Sequence, residues 1–200
     1  MPDSAPPSLP RASTGQRGAY ARSHVVYLGV SGVLHPSESL YRALYGHPPS
    51  DDGHRLYEAV PILEEALSRW PDASIVLTST LPWSQGLPSV LRRLGPGLWS
   101  RVIGYTYEDL TTQLRRGTRQ LPLSNNDYWR HTKYELVKLH VEWLNPTAWI
   151  AVDDDTGLWS EHDQKVHLVA VNGAKGLLDP VAQDRLATAL FGNFGPPSKA

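Results

Sequence analysis

The chain has 200 residues, 40% of them hydrophobic, and a formal net charge of −1 at pH 7. Such a length suits one domain with a sizeable core, and so balanced a charge gives no reason to expect a nucleic acid or an anionic membrane as partner. The absence of cysteine excludes disulfides, thiolate zinc sites and cysteine nucleophiles, and it is compatible with a cytoplasmic location. No apolar run approaches the roughly 18 residues of a membrane-spanning helix, so no membrane partner is expected.

The N-terminal segment has a different composition from the rest of the chain. Residues 1–23 are rich in proline, serine, alanine and arginine, and they offer almost nothing to bury. This composition predicts a disordered tail, and the segment also lacks the apolar stretch of a secretory signal. We therefore expect one folded domain over residues 24–191 and a short C-terminal tail over residues 192–200.

Apolar segments and amphipathic segments alternate along the domain. The first apolar segment, residues 25–28, predicts a buried strand that ends at Gly29. Further strands are predicted over residues 74–79, 101–106, 148–152 and 166–171. Helical spacing predicts helices over residues 38–45, 58–70, 87–94, 132–144 and 179–191, with one or two helical turns over residues 108–116. Strands that alternate with helices indicate an α/β fold, with a parallel sheet and helices on both faces.

Polar residues follow three of the predicted strands. They are Gly29 and Ser31 after the first, Thr78 and Ser79 after the second, and Asp153 and Asp154 after the fourth. The carboxyl ends of neighbouring parallel strands meet at one crevice, and Lys133 stands at the start of the helix before the fourth strand. Hydroxyl, ammonium and carboxylate groups that meet in this way suit a phosphoryl group.

Each of these features also has an ordinary structural explanation. A Thr-Ser pair at a strand end is commonly a turn cap, and a lysine at a helix start is commonly solvated. Three adjacent aspartates, at residues 153–155, cap a helix or hold a cation in many proteins. Ser31 is a candidate nucleophile, but no adjacent histidine is evident as its base, and His35, four residues on, is interpreted as a loop residue that forms hydrogen bonds.

Four motifs in order resemble those of the haloacid dehalogenase (HAD) superfamily. Residues 25–36, Val-Val-Tyr-Leu-Gly-Val-Ser-Gly-Val-Leu-His-Pro, resemble its first motif, an apolar run followed by Asp-x-Asp-Gly-x-Leu and often His-Pro. Residues 75–79, Lys133 and residues 149–154 resemble the second, third and fourth motifs. The resemblance extends over residues 24 to about 191 and includes small bacterial HAD-domain proteins. It implies a three-layer HAD-like Rossmannoid fold, with a five-stranded parallel sheet of order 3-2-1-4-5 and a minimal cap.

The first motif departs from the family pattern at both catalytic positions. The resemblance implies that the position of Gly29 holds the aspartate nucleophile, and the position of Ser31 holds the aspartate that acts as general acid and base. Glycine has no side chain and cannot form the covalent aspartyl-phosphate. Loss of the nucleophile is expected to lower the rate of phosphoryl transfer by orders of magnitude. Ser31 can donate a hydrogen bond but is a poor general acid.

The other motifs keep the residues that the family uses. The resemblance implies that Thr78 binds the phosphoryl oxygens, that Lys133 neutralises them, and that Asp153 and Asp154 complete a magnesium site. With the carboxylate of residue 29 missing, we expect magnesium binding to be weak or lost.

Three functions remain open on the sequence. The first is a degenerate HAD-like protein that binds a phosphate-bearing small molecule, through Ser31, Thr78, Ser79 and Lys133, or an unknown protein partner, without the usual turnover. The second is a phosphohydrolase or other enzyme that does not need the two aspartates. The third is a protein-interaction module with a vestigial crevice.

Overall fold

A computed structural model of the chain describes residues 24–47, 53–106 and 131–198. The predicted tail over residues 1–23 and the predicted helical turns over residues 108–116 lie outside these ranges.

The described residues form one five-stranded sheet in which every strand pair is parallel. Its strands are β1 (His24–Leu28), β2 (Ser74–Leu77), β3 (Val102–Tyr105), β4 (Ala148–Asp153) and β5 (Leu168–Ala170). Their order across the sheet is β3-β2-β1-β4-β5, so the predicted order 3-2-1-4-5 is confirmed. β1 is the central strand, and its apolar side chains are buried on both faces.

Seven helices connect the strands in the described part of the chain. They are α1 (Ser37–Leu44), α2 (Val60–Ser68), α3 (Leu81–Gln85), α4 (Leu87–Trp99), α5 (Lys133–Leu144), α6 (Glu161–Val166) and α7 (Pro180–Phe194), with a 3-10 turn at Gly176–Leu178 before α7. None of them is both long and apolar enough to cross a membrane.

Two hydrophobic clusters show how the helices cover the sheet. The larger one joins α2, α4 and α7 to side chains such as Val26, Leu28 and Ile150 on one face of the strands. The smaller one joins Val137 of α5 to Val25 and other residues of the opposite face. Helices on both faces of a parallel sheet make three layers, so the predicted α/β architecture is confirmed.

Several element boundaries differ from the prediction. The helical geometry of α4 breaks at Gly95 (φ 73°, ψ 167°), in agreement with the predicted end at residue 94, but a second helical segment that was not predicted follows as far as Trp99. Residue 166 is the last residue of α6 rather than the start of β5, and α6 was not predicted. Its start is marked by Ser160, whose hydroxyl accepts a hydrogen bond from the amide of Asp163 (3.1 Å). α7 continues three residues beyond the predicted end, because Phe194 is buried and its ring stacks on His24 with centroids 4.6 Å apart.

Candidate functional site

The loop after β1 is buried and is held by its own backbone. The amide of Gly32 donates to the carbonyl oxygen of His35 (2.9 Å), and that of Leu34 donates to Val30 (2.8 Å). Nδ1 of His35 accepts a hydrogen bond from the amide of Tyr57 at 3.3 Å, so the interpretation of His35 as a hydrogen-bonding loop residue is confirmed. Burial lowers the pKa of His35 to about 4, so the ring is neutral near pH 7. The loop therefore has a fixed shape beside the strand ends.

The register of the sheet brings Gly29, Thr78 and Asp153 to the same level. Leu28 pairs with Leu77 on one side and with Val152 on the other. The amide of Gly29 donates to the carbonyl oxygen of Val152, and that of Thr78 donates to Leu28, both at 2.9 Å. The residues that follow these three strands consequently face each other, as predicted from the carboxyl ends of a parallel sheet.

The Asp153 carboxylate is the centre of the hydrogen bonds at this level. The residue is 2% exposed. Its Oδ1 accepts hydrogen bonds from Lys133 Nζ (2.7 Å) and from the amide of Asp155 (3.0 Å), and its Oδ2 accepts one from Thr78 Oγ1 (3.0 Å). Burial raises the pKa of Asp153, while the Lys133 ammonium opposes that rise. The cation and the buried carboxylate thus form a hydrogen-bonded ion pair.

The start of α5 places Lys133 in that pair. The Thr132 hydroxyl accepts from the amide of Glu135 (3.1 Å), and the Glu135 carboxylate accepts from the amide of Thr132 (2.7 Å). This reciprocal arrangement is a capping box, which fixes the first turn of a helix. Because Lys133 is the first residue of α5, the capping box also fixes the backbone position from which the Lys133 side chain extends.

The space beside Gly29 is taken by the carboxylate of Asp153. A Cβ atom at residue 29 would lie 2.8 Å from Asp153 Oδ2 and 3.0 Å from Cγ2 of Val33. Both contacts are shorter than normal van der Waals distances for such atoms. Even an alanine at residue 29 therefore requires the Asp153 carboxylate to move.

Asp154 points to a different side of the same loop. Its Oδ2 accepts a hydrogen bond from Ser37 Oγ at 3.1 Å. A Cβ atom on Gly32 or on Gly173 would collide with this carboxylate, and Gly32 also has a positive φ of 78°. The two glycines thereby make room for Asp154, which stays at the surface of the site.

These residues border a cavity of about 240 Å³ above the carboxyl ends of β1 and β2. It is lined by Val30, Ser31, Ser37, Thr78, Ser79, Thr80, Lys133 and Asp154. The structure therefore brings together five of the predicted site residues, namely Ser31, Thr78, Ser79, Lys133 and Asp154. Gly29 and Asp153 lie next to the cavity but are not among the residues that line it.

The sequence matches a known family over most of this fold. Residues 25–182 match the family model described as "HAD domain in Swiss Army Knife RNA repair proteins", which covers both the sheet and the cavity. The chain belongs to this HAD family. No curated protein and no solved structure matches the chain.

HAD proteins generally use magnesium, but the arrangement of carboxylates in this HAD domain does not fit a bound metal ion. Both oxygens of Asp153 already accept hydrogen bonds from Lys133, Thr78 and the Asp155 amide. Asp154 is the one predicted ligand that faces the cavity. Within residues 24–47, 53–106 and 131–198, no three His, Asp or Glu side chains are grouped to hold a metal ion.

Two hydroxyl residues of the cavity were not predicted. Ser37 opens α1 and bonds to Asp154, and Thr80 follows the predicted pair of Thr78 and Ser79. Thr80 could have been predicted from the sequence, because it directly follows Thr78 and Ser79 at the end of the same strand. The position of Ser37 at the cavity could not be predicted in this way, because it depends on how the loop of residues 29–36 folds back toward β4.

Proposed function

We propose that this HAD domain binds a phosphate-bearing ligand in the cavity without forming an aspartyl-phosphate. One observation carries the proposal: the space beside Gly29, the residue that the resemblance places at the family's nucleophile position, is filled by Asp153, which is paired with Lys133. A covalent phosphoryl intermediate requires a nucleophilic atom at that place, and glycine has none.

The cavity offers suitable donors for phosphate oxygens. Ser31, Ser79 and Thr80 line it with hydroxyl groups. An ammonium group has three donors, and the Lys133 group gives one of them to Asp153, so two remain for a ligand. The side chain of Lys133 is 26% exposed, which leaves it accessible from the cavity. A cation and several hydroxyls are the groups that recognise a phosphate.

Asp154 narrows the class of ligand. Its carboxylate lines the same cavity and would repel the charge of a bare phosphate ion. It is also an acceptor, and a ligand with a hydroxyl next to its phosphate would donate to it. A ribose that carries a phosphate has both groups. Because the matching family is described as a domain of RNA repair proteins, we infer that the ligand is the phosphate-bearing end of an RNA strand.

A cytoplasmic location and weak or lost magnesium binding remain predictions that accompany this proposal. A protein partner in place of the RNA end is the alternative, which a failure of the parent protein to bind the oligoribonucleotide would favour.

The test compares two lysines of the same helix. Lys133 and Lys138 both lie on α5, and each pairs with an aspartate, Lys138 with Asp163 Oδ2 at 3.0 Å. We expect Lys133→Met to weaken the binding of a short phosphate-ended oligoribonucleotide about 10- to 100-fold, the usual range for a charged hydrogen bond. Lys138→Met should leave that affinity unchanged. Fluorescence anisotropy with EDTA present measures both, and equal affinities for the two variants would contradict the proposed site.

A second measurement separates binding from turnover. Mass spectrometry after incubation with the phosphate-ended RNA should show no phosphorylated peptide over residues 25–36. An adduct there would overturn the proposal. Release of inorganic phosphate without an adduct, abolished by Lys133→Met, would instead support an enzyme that does not need the two missing aspartates.

A further inference from the structure

Two exposed aromatic rings belong to Tyr41 of helix α1 and to Tyr45, the residue that caps the C-terminus of α1. Tyr41 is 57% exposed and Tyr45 is 67% exposed. Their ring centroids are 4.6 Å apart, and the ring of His47 lies parallel to that of Tyr41 at 6.0 Å. Rings that remain mostly in solvent contribute little to the core, so the packing of the domain does not account for this group.

The geometry of α1 connects these rings to the cavity. Ser37 is the first residue of α1 and lines the cavity. Tyr41 follows it by one turn and Tyr45 by two, which places them about 6 and 12 Å further along the helix axis on neighbouring sides. The rings therefore form a stripe that leads away from the phosphate cavity.

A second cavity lies on the other side of the stripe. Its volume is about 210 Å³, and it is lined by Ser39, Arg42, Ala43, His47, His54, Arg55 and Leu56. Viewed down the helix axis, Tyr41 lies about 40° and Tyr45 about 80° around the axis from Ser37. Arg42 lies about 140° from Ser37, so the two tyrosines are between Ser37 and Arg42. Arg42 forms an ion pair with Glu38, and Nδ1 of His54 is hydrogen-bonded to Glu58, each at 2.7 Å and with partly exposed side chains. Exposed pairs of this kind are weak and can yield to a phosphate.

We infer that Tyr41 and Tyr45 stack unpaired bases of a single-stranded RNA whose terminal phosphate lies in the cavity beside Lys133. The strand then runs along α1 with its backbone toward Arg42 and Arg55. This inference rests on the proposed function and specifies its ligand. Bases of a duplex are stacked on each other and hidden from such rings, so the stripe selects a single strand. The two arginines match the negative charge of that strand's backbone.

The experiment uses exposed aromatic residues as matched variants. Tyr41→Ala and Tyr45→Ala should each weaken the binding of a short oligoadenylate with a terminal phosphate about 5- to 100-fold, the range for loss of one stacked base. Phe191, on α7, is 58% exposed, and Phe191→Ala should leave the affinity unchanged. Because all three rings are exposed, circular dichroism and melting temperature should stay those of the parent protein.

A second ligand separates this inference from the proposed function. An abasic oligonucleotide with the same terminal phosphate keeps the charge and loses the bases. We expect its affinity to respond to Lys133→Met but not to the two tyrosine variants. If the oligoadenylate depends on Lys133 but not on Tyr41 or Tyr45, the stacking inference is wrong and the proposed function stands; the stripe then serves another contact, such as a protein. If neither oligonucleotide depends on Lys133, the proposed function fails, and the inference fails with it.

Discussion

Replacing Gly29 by alanine tests whether Asp153 fills the space beside residue 29. The added Cβ would lie 2.8 Å from Asp153 Oδ2 and 3.0 Å from Val33 Cγ2. Relief requires the carboxylate to rotate, which breaks its 3.0 Å hydrogen bond with Thr78 and disturbs its pair with Lys133. No part of the cost comes from backbone strain, because the φ of Gly29 is outside the left-handed region. We therefore expect Gly29→Ala to destabilise the fold.

The magnitude follows from packing and from the lost hydrogen bond. Overfilling a packed site costs about 1 to 3 kcal/mol, and the loss of one buried hydrogen bond adds about 1 kcal/mol. We expect a total of about 2 to 4 kcal/mol in the free energy of unfolding, measured by urea denaturation. For a domain of this size that corresponds to a fall of about 4 to 16 °C in melting temperature.

Gly192→Ala is the matched control, because it adds the same methyl group in open space. Gly192 lies inside α7, and a Cβ there has no heavy atom within 4 Å beyond its own helix and its chain neighbours. Alanine is the better helix former, so this variant should gain up to about 1 kcal/mol. A Gly29→Ala protein as stable as its parent would refute the placement of Asp153. In an Asp153→Ala background the added methyl group should cost little, which a double-mutant cycle would show as coupling.

Three further predictions concern pH, magnesium and restoration of the family's chemistry. Burial lowers the pKa of His35 from 6.5 to about 4 in the folded protein. As the pH falls, His35 therefore binds a proton in the unfolded chain at a higher pH than in the folded chain. Stability should therefore decrease by up to about 3 kcal/mol between pH 6.5 and pH 4, and urea denaturation of His35→Gln should lack this component. Magnesium alone should raise the melting temperature of the parent protein little, because Asp153 is already paired; a large rise would mean that the carboxylates reorient easily. Gly29→Asp with Ser31→Asp should be destabilised without metal, since Asp153 must move, but should gain magnesium-dependent stability and hydrolyse an aryl phosphate. A folded double variant with neither property would show that the crevice serves another purpose.

The sheet could be predicted because its strands are nearly continuous apolar runs. β1, β2 and β4 are buried on both faces, so their sequences carry a strong signal and their ends lie within two residues of the predicted ones. β5 is a three-residue edge strand with a weaker pattern, and α6 before it is short and polar. Neither has enough residues for periodicity to define it, which explains the wrong boundary at residue 166.

The site could be predicted as a set of residues but not as a set of contacts. Thr78, Ser79, Lys133 and Asp154 meet at one cavity because parallel strands end on the same side, which follows from the topology. The partner of Lys133 does not follow from it. Which carboxylate pairs with Lys133 depends on the distances between the side chains when residue 29 is glycine. A sequence motif does not contain those distances.

The Lys133–Asp153 pair gives these two residues a structural role that does not depend on a side chain at residue 29. A buried carboxylate that lacks a counter-charge is costly. The resemblance of residues 25–36 to the first HAD motif implies a carboxylate at the position of Gly29 as a partner for Lys133 and a metal ion as a partner for Asp153. With Gly29, Lys133 and Asp153 lie 2.7 Å apart and neutralise each other, while Thr78 and the Asp155 amide complete the hydrogen bonds of the carboxylate. Removal of Lys133 would leave the buried Asp153 carboxylate without a counter-charge, so stability alone is a reason to keep the lysine. The comparison of Lys133→Met with Lys138→Met, made on variants that circular dichroism shows to be folded, separates this stabilising role of Lys133 from a role in ligand binding.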